Sequence, residues 1–135
     1  MQENSYSLTH RVYYYETDKM GRVYHANFVM WMEKARTEFL RSRGISYKEL
    51  EDTGIIMPVT EIGVKYMTPV EYDEEVIIDI TVIKLTKVKV EFGYTFYDKK
   101  REVKFGEATS INVFSDSNGK IMRIQKDLYD KLGGE

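Results

Sequence analysis

Asp18, Gly21 and His25 stand close together, directly ahead of a stretch with helical periodicity. A carboxylate can attack an acyl carbon itself or take a proton from a water that does. Either route needs a group that stabilises the carbonyl oxygen as it gains charge. Unpaired amides at a helix N-terminus supply one, helped by the helix dipole. Gly21 lets the loop fold back, so that the acid and the helix start face one carbonyl. The same residues also suit a plain turn, with Asp18 closing the backbone and His25 packing near a helix end. Spacing alone leaves both readings open.

Other chemistries find less support. Cysteine is absent, which excludes thiol catalysis, disulfides and cysteine-ligated zinc. His10 and His25 are the only histidines and form no HxxxH or HExxH pattern, so no metal site is expected. No GxSxG, GxxxxGK[ST] or GxGxxG run occurs, so neither a serine-hydrolase elbow nor a phosphate cradle is signalled. Twenty basic residues against 22 acidic ones give a formal charge of −2, with no basic excess for nucleic acid or an anionic membrane.

The 135 residues, 42% hydrophobic and 31% charged, predict one domain over 1–135 with a core of its own. The polar first fifteen residues lack the apolar core of a secretory signal. No run approaches the ~18 apolar residues of a membrane span. A soluble, cytoplasmic protein is the expectation.

The elements that must position the acid follow from periodicity. Residues 9–15, with Tyr13, Tyr14 and Tyr15 in a row, read as a first strand carrying rings on both faces. Residues 16–24 read as a turn. Phe28, Met32, Ala35 and Phe39, flanked by Trp31 and Leu40, form one apolar helix face. Glu33, Lys34, Arg36, Glu38, Arg41 and Arg43 form the other. Asn27 is the expected N-cap and Gly44 the C′ residue. Ser46 and Glu49 predict a second, short helix ending at Gly54.

Strand patterns follow at 61–67, 75–85, 87–97 and 102–114. The third sets Val88, Val90, Phe92, Tyr94 and Phe96 on one face. The fourth sets Val103, Phe105, Thr109, Ile111 and Val113 on one face and Lys104, Gly106, Ala108, Ser110 and Asn112 on the other. Short linkers favour antiparallel neighbours. A turn at 116–119 and a short helix over 126–132 complete an α+β domain: one long helix against an antiparallel sheet of about five strands. One helix covers only part of one sheet face, which predicts an oligomer.

The run from Tyr15 to Phe28, YETDKMGRVYHANF, resembles the signature of the 4-hydroxybenzoyl-CoA thioesterase-like, or YbgC-like, acyl-CoA thioesterases. The likeness continues through Glu33–Leu40 and Gly44, and returns at Tyr66–Val70 and Tyr72–Glu74. It implies the hot-dog fold, in which the sheet wraps the central helix, and a homodimer assembling to a homotetramer with sites at the subunit interface. It implies hydrolysis of an acyl-CoA to free acid and CoA, with Asp18 as nucleophile or general base and the His25 amide polarising the carbonyl. The His25 side chain would hold the loop or orient Asp18. No cofactor is implied, because coenzyme A enters as part of the substrate. Arg22 and Phe28 depart from the family pattern, which bears on the acyl group accepted more than on the reaction.

The resemblance extends the substrate-binding set to Gly21 and Tyr24. CoA phosphates call for cations, for which Lys87 and Lys89, or the Lys99–Lys100–Arg101 turn, are candidates; a solvated strand edge explains them equally well. Met57, Pro58 and Val59, after Ile55 and Ile56, could line an acyl pocket or simply pack the core. Glu33 is a rival acid on the charged helix face. Two other functions remain open: an enoyl-thioester hydratase using the Asp18 and His25 side chains on one water, and a non-catalytic acyl-CoA-binding module.

Overall fold

The computed structural model describes residues 4–134. Strand β1 (Ser5–Arg11) leads through a single 3₁₀ turn (Tyr14–Glu16) and an irregular loop into helix α1 (Asn27–Ser42). Helix α2 (Tyr47–Asp52), strands β2 (Val59–Tyr66), β3 (Glu75–Leu85), β4 (Lys89–Asp98) and β5 (Lys104–Val113), and helix α3 (Lys126–Lys131) follow. The sheet has the order β1-β3-β4-β5-β2, and every pair is antiparallel. This is the α+β arrangement the periodicity predicts.

Helix α1 lies on one sheet face. Its predicted stripe, Phe28, Trp31, Met32, Ala35, Phe39 and Leu40, is buried against Val76, Ile78 and Ile80 of β3 and Val90, Phe92, Tyr94 and Phe96 of β4. Phe28 meets Phe96 edge-on at 4.9 Å between centroids, and Phe39 meets Phe92 at 5.8 Å. Ile45 and Gly44 close the helix by donating to Leu40 and Arg41 carbonyls, the paired bonds of a Schellman end. Ser46 caps α2 by accepting from the Glu49 amide, as its sequence pattern suggests.

Four expectations need correction. The first strand ends at Arg11, and Tyr13, Tyr14 and Tyr15 are exposed on the turn after it. Their β propensity loses to the Glu16 side chain, which accepts from the Tyr13 amide at 2.8 Å and bends the chain out of the sheet. Asn27 is the first helical residue, and Ala26 occupies the N-cap. Arg36, on the charged face, is 5% exposed, its guanidinium donating to the Tyr94 hydroxyl.

The fourth concerns β5, whose buried side carries Gly106, Ala108, Ser110 and Asn112 and not Thr109, Ile111 and Val113. Volume decides this. A Cβ on Gly106 would stand 2.7 Å from the Lys65 carbonyl oxygen and 3.4 Å from the Phe28 ring. Bulky rings from α1 and β4 already fill that layer, so β5 must present small side chains.

Candidate active site

The loop after the 3₁₀ turn folds into a small hairpin. Thr17 bridges Val23, the Asp18 amide donates to the Arg22 carbonyl at 2.7 Å, and the Gly21 amide donates back to the Asp18 carbonyl at 3.1 Å. Gly21 turns the chain at φ +77°, a conformation that costs a side-chain-bearing residue. The Asp18 Oδ1 accepts from the amides of Met20 (2.8 Å) and Arg22 (3.2 Å). Its Oδ2 has no hydrogen-bond partner among the described residues. The loop is also sewn to the segment before β3, Val23 donating to the Val70 carbonyl and Tyr72 to that of Gly21.

The start of α1 is equally specific. Ala26 has no side chain with which to cap it. The amides of Asn27, Phe28 and Val29 donate three residues back, to Tyr24, His25 and Ala26. The amides of the N-cap Ala26 and of His25 before it donate to no protein acceptor among the described residues. Asn27 sends its side-chain amide to the Glu16 and Tyr24 carbonyls at 2.9 and 3.2 Å. Asn27 thus ties the helix start to the loop, and the free amides ahead of it stand at the positive pole of the helix.

Asp18, Tyr24 and His25 line one cavity of about 430 Å³, with Phe28, Tyr66 and Pro69 among its walls. Gly21 shapes the loop behind it. The His25 ring makes no hydrogen bond among the described residues; it lies 4.4 Å from the Tyr24 ring and 6.0 Å, edge-on, from Tyr66. Tyr66 donates its hydroxyl to the His25 carbonyl at 2.9 Å. Partial burial raises the Tyr66 pKa above its ordinary value.

The other candidates lie elsewhere in the single chain. Met57 and Val59 line a second cavity, of about 400 Å³, with Glu33, Arg36 and Asn112; Pro58 is exposed beside them. Lys89 opens β4 opposite Val113, and Lys87 stands over the Tyr129 ring at 5.7 Å, so neither borders the Asp18 cavity. Arg101 pairs with Asp79, and Lys99 and Lys100 line a surface cleft near Arg11.

Glu16 had only the appearance of a turn former. It is 4% exposed, and its carboxylate accepts from His10 Nε2 (2.9 and 3.1 Å), Trp31 Nε1 (2.7 Å) and the Tyr13 amide. Burial pushes its pKa up, but the Tyr13, His10 and Trp31 donors outweigh that and hold it below the usual 4.5. The available signal was Trp31, whose indole N–H needs a partner when the ring is buried. Tyr66 and Pro69 carried a signal too, in the return of the signature at 66–70.

Comparison with known proteins follows this geometry. Residues 12–132 match the family model described as the thioesterase-like superfamily. YneP of Bacillus subtilis, named as a candidate acyl-CoA thioesterase, is 35% identical over 120 residues, spanning 88% of this chain and 86% of that one. The acyl-CoA thioesterase YbgC of Haemophilus influenzae is 30% identical over 93 residues, 68% of each chain. The crystal structure of a DHNA-CoA thioesterase from Staphylococcus aureus superposes with a TM-score of 0.88 at 28% identity, covering 94% of this chain and 87% of its own. That of a hypothetical protein from Aquifex aeolicus also gives 0.88, at 29% identity, over 94% and 98%.

Proposed function

The chain belongs to the thioesterase-like superfamily and is a thioester hydrolase, and from that premise we propose that it hydrolyses an acyl-CoA whose carbonyl sits between Asp18 and the His25 amide. One observation carries the residue assignment. A carboxylate with one oxygen fixed by two amides and the other unengaged shares a cavity with a helix-start residue whose amide is unpaired.

The fixed Oδ1 orients the carboxylate, and Oδ2 is the reacting atom. In one route Oδ2 adds to the thioester carbon, the oxyanion is held by the His25 N–H, and the CoA thiolate leaves to give a mixed anhydride that water cleaves. In the other, Oδ2 takes a proton from water as its oxygen adds to the same carbon, and the departing thiolate then takes up a proton. The oxyanion donor serves both routes, so the geometry favours neither. Single turnover in ¹⁸O-labelled water tests the first route: an unlabelled acid product, with the label left in Asp18, marks the anhydride. No cofactor enters either route.

The hydratase reading needs the His25 imidazole on a water shared with Asp18, and that ring has no hydrogen bond to the loop. The assay for the proposal is a panel of aryl, short-chain and long-chain acyl-CoAs with the wild type and Asp18→Asn. Hydrolysis lost in the variant supports it. Binding without Asp18-dependent turnover of any member overturns it in favour of a binding module.

The reading includes a homodimer. Strand β2 ends the sheet, with Val59, Ile62 and Tyr66 exposed along it, and a free strand edge is a template for pairing. Antiparallel pairing of two β2 strands would bring the Met57–Val59 end of one copy to the Tyr66 end of the other, adding those residues to the substrate cavity. Two such dimers joined across the outer sheet face, where Ile83 is exposed, would make a homotetramer. We place the enzyme in the cytoplasm, in keeping with a cysteine-free chain. No described helix is long and apolar enough to cross a membrane.

A further inference from the structure

The Glu16 carboxylate does not border the Asp18 cavity, yet it is tied to both halves of the site. Its side chain joins three elements: His10 on β1, Tyr13 on the turn and Trp31 on α1. Its carbonyl accepts from the Tyr24 amide at 2.8 Å and from the Asn27 side chain at 2.9 Å. Asp18 follows it by two residues, and His25 follows Tyr24 by one. Lys34 Nζ lies 3.0 Å from His10 Nδ1. An ammonium only donates, so Nδ1 accepts and the His10 proton sits on Nε2, facing Glu16. Oε1 therefore takes His10 and Tyr13, and Oε2 takes Trp31. Every one of these donors points inward, and only a carboxylate, which accepts at both oxygens, can satisfy them all.

We propose that Glu16 is a positioning residue of the hydrolase, fixing the Asp18 carboxylate relative to the unpaired His25 amide by clamping their shared loop to α1. This rests on the reading that those two groups act on the carbonyl. A carbonyl attacked from one side and polarised from the other tolerates little change in their separation, and a shift of about 1 Å can cost on the order of 10²-fold in rate. A glutamine here would turn one arm into a donor facing a donor and release one tie.

The test is steady-state kinetics of Glu16→Gln and Trp31→Phe, singly and combined, well below their melting temperatures. Ile80→Val, buried in the sheet and lining no part of the site cavity, is the control for lost stability. The expected result is a kcat lower by about 10- to 100-fold for Glu16→Gln, KM within about threefold, and a smaller loss in the same direction for Trp31→Phe. The double variant should be no worse than the product of the singles, because both cut one tie. Ile80→Val should keep the wild-type kcat. A kcat for Glu16→Gln within twofold of wild type, or an equal fall in Ile80→Val, overturns the proposal. If Glu16→Gln does not fold, an unchanged kcat in Trp31→Phe overturns it and a reduced one supports it. Asp18→Asn run alongside keeps the two levels apart: activity surviving there overturns the reading beneath, whereas its loss beside a fully active Glu16→Gln overturns only the clamp.

Discussion

Glu16 and Asp18 carry the same functional group two residues apart on one loop, in opposite surroundings. Glu16 is buried, with both oxygens engaged by donors from β1, the 3₁₀ turn and α1. Asp18 is exposed on a hairpin tip, with one oxygen held by its own loop and the other unengaged beside a cavity. A buried carboxylate with both oxygens engaged can only hold other groups in place. One with a free oxygen can still form a bond. On the proposed reading the loop divides the labour between them: the inner acid fixes the chain, and the outer one reacts.

The largest effect that could break this division is on turnover. Asp18→Asn should lower kcat by about 10²- to 10⁴-fold, while changing stability by no more than about 0.5 kcal/mol. An asparagine oxygen still accepts from the Met20 and Arg22 amides, so the hairpin survives. The same exchange at Glu16 should do the reverse in stability, lowering it at pH 7 by about 1.5–3 kcal/mol, read as the midpoint of urea unfolding. Equal destabilisation at the two positions would show that the acids share one role.

Acid sharpens the contrast. The folded Glu16 pKa lies below the ordinary 4.5, so the folded chain holds this proton less readily than the unfolded one. Its contribution is then fully present above about pH 4.5 and is lost as pH falls through the folded value. The stability gap between wild type and Glu16→Gln should therefore shrink as pH falls below about 4.5. Asp79, whose pKa is lowered by Arg101 and Ser7 against its burial, adds an acid slope to both proteins and cancels in the difference. A gap that does not shrink would mean that the clamp is not an ionised carboxylate.

Asp18 and Glu16 also differ in how well the sequence exposes them. Asp18 could be raised as a candidate because its setting is local: the acid, Gly21 and the helix start lie within one short run, which also carries the family resemblance that favours it over a plain turn, and the α1 stripe repeats with a period that only a helix satisfies. Glu16 could not, because its donors sit at positions 10, 13 and 31 and meet only in the folded chain. Arg36 and the small side of β5 were hidden for the same reason. Periodicity reports which side of an element is more apolar, whereas the Phe28 ring and the Lys65 backbone decide what fits against Gly106. The Ala26 cap was obscured by Asn27, a good capper whose side chain is used on Glu16 and Tyr24 instead.

Between the two acids, Gly21 is the next point to press. It holds φ +77° with open space where a Cβ would stand, so Gly21→Ala meets backbone strain and no clash. The cost should be about 1–2 kcal/mol, drawn from the hairpin that carries Asp18 and not from the Glu16 clamp. The expected signature is a several-fold lower kcat with only a modest fall in melting temperature. An alanine variant with unchanged kcat would mean that the hairpin can relax without moving the acid.

Tyr66→Phe should give the smallest effect, and it probes the other side of the carbonyl. The lost hydroxyl donates to the His25 carbonyl, while the attacked oxygen is assigned to the His25 amide, which belongs to the preceding peptide plane. That carbonyl also accepts from the Phe28 amide at 3.2 Å, so it is not left without a partner. The phenyl ring should keep its edge contacts with Phe28 and His25. Removing one replaceable hydrogen bond costs about 0.5–1.5 kcal/mol, so kcat/KM should fall by roughly two- to tenfold. A loss on the order of 100-fold would place the Tyr66 hydroxyl on the substrate itself and make the site a pair of oxyanion donors facing Asp18, whose unengaged oxygen would then have two partners to be aligned with.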